Sequence, residues 1–309
     1  MRSVAAGSVG RVAVAFVLSG GASLGAVEVG MLCALEERGI RPDVIVGTSV
    51  GAVNGAWLAG HPDAPVRELV DVWKTLHRSD VFPANARRGL LAFAGRRRSF
   101  VDEGPLRSLI ERHLSFATLE TAPTPLHVVA IEVLTGREVL LSSGPAADAV
   151  LASAALPALF DPVEIDGVAY MDGGVGNNTP ISHAVGIPEV DQVWVLCAGY
   201  PCALSEPPGN PLAMALHALG LLLHKQLTVD VERYERVVEL RVLPPLCPLT
   251  VSPVDFSHSA ELIDRAYEAS CRWLDEAHPP IGQAAFLALH DHAPAPGAVV
   301  TTPWVPGEP

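Results

Sequence analysis

The stretch Gly47-Thr48-Ser49-Val50-Gly51 offers a serine hydroxyl for nucleophilic chemistry. A short β-branched run, Asp43-Val44-Ile45-Val46, precedes it, and the small apolar residues from Ala52 to Ala59 suit a buried helix after it. The spacing therefore predicts a strand that breaks sharply into a helix with Ser49 at the corner. Gly47 and Gly51 permit the strained backbone that turns the hydroxyl outward, and they leave room for an incoming carbonyl. Such a nucleophile elbow performs acyl transfer, with Ser49 attacking an ester or amide carbon.

A serine nucleophile needs a base, and two kinds are available. His183, His217, His224 and His258 all follow Ser49, so the chain order Ser, Asp, His of an α/β-hydrolase can be met. That fold, however, places several strands before its nucleophile, whereas here one strand precedes the elbow strand. The other kind is Asp172 in Asp172-Gly173-Gly174, which follows the hairpin pattern Val163 to Tyr170 around an Asp166-Gly167 turn. Gly173 and Gly174 let backbone or substrate come close to that carboxylate. A plain Asp-Gly-Gly turn is the simpler reading of the same residues.

A second glycine-rich turn, Gly20-Gly21-Ala22-Ser23-Leu24-Gly25, lies between an apolar strand and a helical pattern. Its amides and the helix dipole favour negative charge. One use is a pyrophosphate cradle, because Gly20, Ala22 and Gly25 follow a degraded dinucleotide spacing. That use wants an acid at the end of strand two, where the chain instead carries Gly47-Thr48-Ser49. The other use is an oxyanion hole beside Ser49, where each well-placed donor contributes about 3 to 4 kcal/mol. Ala22 fits that role with a negative φ.

The elements that must position these residues alternate. Val12 to Leu18 reads as strand one. Val27, Met31, Leu32 and Leu35 recur at helical spacing as far as a stop at Gly39, and Pro42-Asp43 open strand two. β-α-β-α is thus complete within the first 60 residues, which calls for a parallel sheet. Helices are expected over 65–78, 104–116, 211–235 and 260–274, and a short one from Pro180. Strands are expected over 126–133, 138–141, 193–198 and 237–242. The fold class is α/β, a three-layer α/β/α arrangement with a mainly parallel central sheet. A single domain over 12–276 is flanked by an N-terminal extension, 1–11, and a C-terminal extension, 277–309, whose end is proline-rich and reads as disordered.

A net charge of −13 argues against nucleic-acid binding, which rests on neutralising phosphates. Arg87, Arg88, Arg96, Arg97 and Arg98 nevertheless crowd one loop-like stretch, with Leu90, Leu91, Phe93 and Phe100 among them. Solvated surface and contact with an anionic lipid surface are both open for it. The leucine-rich run from Leu212 to Leu223 is too short for a membrane span and suits buried core, or else an acyl-chain wall or lid. His183 suits a helix flank, and Asn54 a local hydrogen bond. Five scattered cysteines, Cys33, Cys197, Cys202, Cys247 and Cys271, show neither metal spacing nor a disulfide framework. The apolar run after Arg11 is short and enters the glycine turn directly, so it reads as a strand and not a signal peptide. A cytoplasmic, soluble protein with at most peripheral membrane contact is expected.

Taken in order, the glycine turn, the elbow, the run Ala152-Ser153-Ala154-Ala155-Leu156-Pro157-Ala158-Leu159-Phe160-Asp161-Pro162-Val163 and Asp172-Gly173-Gly174 resemble the patatin-like phospholipase family. The resemblance covers about residues 12–200. It implies a Ser49–Asp172 dyad without a histidine, and an oxyanion hole from Gly20, Gly21 and Ala22 supported by Gly25. It also implies hydrolysis of phospholipid, lysophospholipid or related fatty-acyl esters, with no metal or organic cofactor. The chain departs from the family pattern at Ala22, where a third glycine is usual, and at Leu24, where a basic residue is usual. Those departures keep a second reading open, a catalytically weak or non-catalytic lipid-binding protein.

Overall fold

The computed structural model describes residues 12–83, 85–199, 207–209, 211–249, 251–279 and 281–288. Its elements run β1 (Ala13–Leu18), α1 (Gly25–Glu37), β2 (Val44–Thr48), α2 (Val50–Gly60), α3 (Arg67–Thr75), α4 (Arg78–Val81), α5 (Ala86–Phe93) and α6 (Gly104–His113). They continue as β3 (Leu126–Glu132), β4 (Glu138–Leu141), α7 (Ala146–Ser153), β5 (Val163–Ile165), β6 (Val168–Asp172) and α8 (Ile181–Val185). The last are β7 (Val190–Leu196), α9 (Pro211–Tyr234), β8 (Glu239–Val242) and α10 (Ser259–Leu274).

The apolar runs of β1 and β2 make central strands because both of their faces must be covered. Side chains alternate across the sheet accordingly. Phe16, Leu18, Ile45 and Val128 pack under α1, α2, α6, α7 and α10. Ala15, Val17, Val46, Val129, Val193 and Val195 pack on the other face with Ile181 of α8 and Leu227 and Val231 of α9. The result is the three-layer α/β/α arrangement. Parallel pairing joins β3, β2, β1, β7 and β8, while β4, β5 and β6 are antiparallel.

One detail of register builds the site. Val128 pairs with Gly47 of β2 and with Leu141 of β4, so β2 and β4 lie on opposite sides of β3. Ala130 pairs with Val139 of β4 and with Asp172 of β6, which puts β6 on the β2 side. Thr48 pairs with Val129, and Asp172 with the next residue, Ala130. Strand β2 and the oppositely directed β6 therefore meet end to end along one edge of β3. Their termini, Thr48 and Asp172, are forced together.

Several expected elements form where the patterns place them. Asp166 and Gly167 both have positive φ, 51° and 78°, as a two-residue hairpin of the primed type requires. Gly39 ends α1 with φ 69°. Others differ. The region 65–78 divides into α3 and α4 between Leu76 and His77. The first part of the arginine-rich stretch, with Arg87 and Arg88, is helix α5, begun by Asn85, whose side chain accepts the amide of Arg88, while Arg96, Arg97 and Arg98 lie in the loop that follows it. The leucine-rich first half of α9 is not core where its side chains are described. Met214, Leu216, Leu219, Leu221 and Leu222 are exposed, and burial begins at His224. Beyond the expected domain end at 276, a turn at Gln283–Leu287 joins the core, with Leu287 fully buried and Gln283 receiving the amide of Val242. The extension 1–11 and the proline-rich tail 293–309 lie outside the described residues.

Candidate active site

Ser49 sits where β2 becomes α2, with φ 54° and ψ −124°. A non-glycine residue there stores strain of order 1 to 3 kcal/mol, and strand and helix together hold it in place. The neighbouring glycine explains why the corner closes. A Cβ on Gly51 would stand 2.3 Å from the carbonyl oxygen of Leu18, so only glycine lets α2 start against the end of β1. Gly47 faces the same first turn of α2, and Gly25 opens α1 against Val50.

The Ser49 hydroxyl donates to Asp172 Oδ2 at 2.7 Å. The other carboxylate oxygen accepts the amide of Gly174 at 2.7 Å. Gly173 passes so close to Val129 that a Cβ would stand 2.3 Å from its carbonyl oxygen, which brings Asp172 down onto β3. Burial pushes the Asp172 carboxyl up to about 6, against the bonds from Ser49 and Gly174 that favour its charged form. A carboxylate so placed is a better base than an exposed one, yet is still ionised at neutral pH.

Among the described residues, no histidine completes a triad here. His183 pairs with Glu138, which also accepts from Asn177, while His258 pairs with Asp255 and Glu261. His224 is buried on α9. Asn54 bonds to Gly25 O, to Glu28 and, through its own oxygen, to the Trp73 indole N–H.

The glycine turn lies beside the elbow. A Cβ on Gly20 would stand 3.2 Å from Ser49 Cβ. Its amide is engaged, donating to Asn178 O at 3.0 Å. Ser23 N donates to Pro253 O and Leu24 N to Gly21 O, which leaves the amides of Gly21 and Ala22 pointing to no acceptor among the described residues. Ala22 has φ 50°, so the negative φ that its identity suggests is not adopted. Leu24 is buried in the core and approaches Gly199.

Two residues that sequence reasoning left without a role bind this arrangement together. Ser153, at the end of α7, accepts the Ser49 amide at 2.8 Å and donates to Val129 O at 2.6 Å. Asn178 returns a side-chain bond to Gly20 O at 3.3 Å, and its carboxamide oxygen lies between Gly20 and Gly174. Ser153 stands inside the run 152–163, whose sequence carried the only signal. Asn178 carried none.

Ser49 and Ala22 open onto a small apolar cavity walled by Val53, Trp73, Phe82, Leu156, Phe160 and Phe256. A second small cavity shares Val53, Trp73, Leu76 and Leu109 with it and extends to His113. Such walls receive a hydrocarbon chain and exclude water. Among the described residues, no cluster of three or more His, Cys, Asp or Glu could hold a metal ion, and no helix is long and apolar enough to cross a membrane.

The model of the patatin-like phospholipase family matches residues 16–185. An uncharacterized NTE family protein of Mycobacterium tuberculosis is 31% identical over 179 residues, 56% of this chain and 46% of the relative. The lysophospholipase NTE1 of Pyricularia oryzae is 28% identical over 170 residues, 55% of this chain and 11% of that protein. The chain thus spans about half the length of the first of these relatives, and far less of the second. VipD from Legionella pneumophila, a solved structure, is similar with a TM-score of 0.42 and 15% identity over 85% of this chain and 66% of that one.

Proposed function

Because the chain belongs to the patatin-like phospholipase family, we propose that it is a serine acyl hydrolase of phospholipids, lysophospholipids or related fatty-acyl esters. The observation that carries the proposal is the 2.7 Å bond from Ser49 to a buried Asp172 at the mouth of an apolar cavity. The name of the fungal relative supports a lysophospholipid among the substrates.

In this mechanism the acyl chain enters the cavity and its carbonyl carbon meets Ser49 Oγ. Asp172 Oδ2 takes the hydroxyl proton as the new C–O bond forms. The negative oxygen of the tetrahedral intermediate accepts hydrogen bonds from the amides of Gly21 and Ala22. Gly20 shapes the turn and does not donate, since Asn178 O already holds its amide. Collapse of the intermediate breaks the ester C–O bond, and Asp172 returns the proton to the departing alcohol. Water then attacks the acyl-enzyme with Asp172 again as base, releasing the fatty acid and restoring Ser49.

Labelling with a fluorophosphonate tests the assignment. The wild type should be modified at Ser49 and lose esterase turnover, and Ser49→Ala should be inert to the probe. A folded wild type that the probe ignores, but that retains fatty-acyl esters, would favour the lipid-binding reading. Hydrolysis of a panel of phospholipids and lysophospholipids then identifies the head group.

A further inference from the structure

We propose that the end of the molecule on which Ser49 lies is a docking face for an anionic lipid surface, built from the first half of α9 and the α5 segment. The proposal rests on the lipid-hydrolase reading for its purpose; its geometry is independent of that reading.

The first half of α9 extends past the site edge of the sheet, from the face opposite the cavity. Strand β7 ends beside the end of β1 at Leu196, and β8 starts at the opposite edge of the sheet, so α9 runs from the site edge downward. It is level with the Asp172 loop at Gln226, whose side chain donates to Gly176 O at 2.8 Å. Below that point Leu227 and Val231 are buried against the sheet. Above it, residues 211–223 extend for roughly 20 Å and carry no Asp, Glu, Lys or Arg. Met214, Leu216, Leu219, Leu221 and Leu222 are all exposed, Leu222 by 70%. A helix that is apolar on its outer surface needs a nonpolar phase against it.

The α5 segment supplies matching charge. It is fastened to the cavity wall, because Phe100 N and Val101 N donate to Ala158 O and Leu159 O, and Arg88 pairs with Asp161 at 3.0 Å. Leu156 and Phe160 on either side of those anchors line the cavity itself. The segment presents Leu90 and Phe93, 71% and 86% exposed, next to the exposed Arg87, Arg96, Arg97 and Arg98. Residues 81–101 contain no acid, although the whole chain carries −13. Cationic and apolar side chains so mixed suit a bilayer with anionic head groups, where the rings and leucines reach the acyl region and guanidiniums hold phosphates. A neutral surface would leave four arginines without counter-charge. Docking there would bring the cavity mouth to the interface from which a lipid enters.

The test uses full-length Ser49→Ala, which prevents turnover, and co-sedimentation with vesicles of phosphatidylcholine alone or mixed with phosphatidylglycerol. The expected result is binding to the mixed vesicles at least tenfold tighter than to neutral ones, weakening as salt rises. Combining R96Q, R97Q and R98Q should remove that preference. Combining L219D and L222D should abolish binding, and so should F93D alone. Each set of substitutions, placed on an intact Ser49, should leave hydrolysis of a dissolved short-chain ester unchanged. Equal binding to both vesicle types, or binding that none of the variants affects, would overturn the proposal. So would a dimer in light scattering that L219D with L222D dissociates while no vesicle binding is seen. If vesicle binding follows this pattern and the dissolved ester is never cleaved, the docking face stands and the hydrolase assignment fails; the reverse outcome separates them the other way.

Discussion

The hydroxyl of Ser153 joins the amide of Ser49 to the carbonyl of Val129, accepting from the first at 2.8 Å and donating to the second at 2.6 Å. It thereby ties the strained elbow to the strand on which Asp172 also rests. Ser153→Ala leaves a buried donor and a buried acceptor unsatisfied, which costs about 1 to 3 kcal/mol of stability. Turnover of a soluble ester should fall about tenfold with KM little changed, since the elbow orients the nucleophile and not the acyl chain. Thermal unfolding and steady-state kinetics check both, and an Ala variant with wild-type melting and turnover would exclude the role.

Asp172 sets the pH dependence. Its pKa near 6 means that it holds a proton at pH 5 and has lost it by pH 7. A base must be unprotonated, so kcat/KM should rise through about pH 6 to a plateau. Asp172→Asn should remove nearly all turnover and the pH step together while the protein stays folded. A profile that is flat from pH 5 to 7 would contradict the assignment.

The elbow was legible because its requirement is local: glycine, serine, glycine between a β-branched run and small residues. Asp172 was different. Its own neighbourhood reads as a turn, and only resemblance to a family distinguished it, because its meeting with Ser49 depends on β2 and β6 sharing one edge of β3. That register involves residues 48, 129, 130 and 172 and is written in no single segment. Burial was equally hard to read. Leu219 and Leu222 have the composition of core, yet lie on the part of α9 that extends past the sheet. Leu90 and Phe93 follow a helical spacing whose apolar side faces outward, so α5 read as loop. In Ala22 a general rule misled, because the turn imposes φ 50° whatever residue occupies it.

Ala22 consequently offers a simple gain. An alanine at positive φ is less stable than glycine by roughly 1 kcal/mol, part of which is offset by the greater freedom of glycine in the unfolded chain. Ala22→Gly should raise the melting temperature slightly and leave turnover equal or a few-fold higher, because the amide it presents is unchanged. Ala22→Val, branched at Cβ, should do the reverse in both measurements. If Ala22→Gly lowers stability, the positive φ is not a source of strain.

Glu28 on α1 is fully buried, with one carboxyl oxygen bonded to Asn54 at 2.9 Å. Desolvation raises its pKa well above 4.5, more strongly than the bond from Asn54 lowers it. The folded protein therefore binds a proton that the unfolded chain releases above pH 4.5, and stability should fall as pH rises from there toward the folded pKa. Asp172 contributes with the same sign between 3.8 and about 6, and Glu103 and Asp230, also raised by burial, act in the same direction, so the Glu28 share is the difference between wild type and Glu28→Gln. Glu28→Gln keeps the shape and the acceptor for Asn54 and removes the titration. Urea melts at a series of pH values from 5 upward should show wild type losing more stability with rising pH than Glu28→Gln does; parallel curves would contradict the raised carboxyl. Since Asn54 also holds the Trp73 indole in the cavity wall, Glu28→Ala should raise KM for long-chain esters more than for short ones.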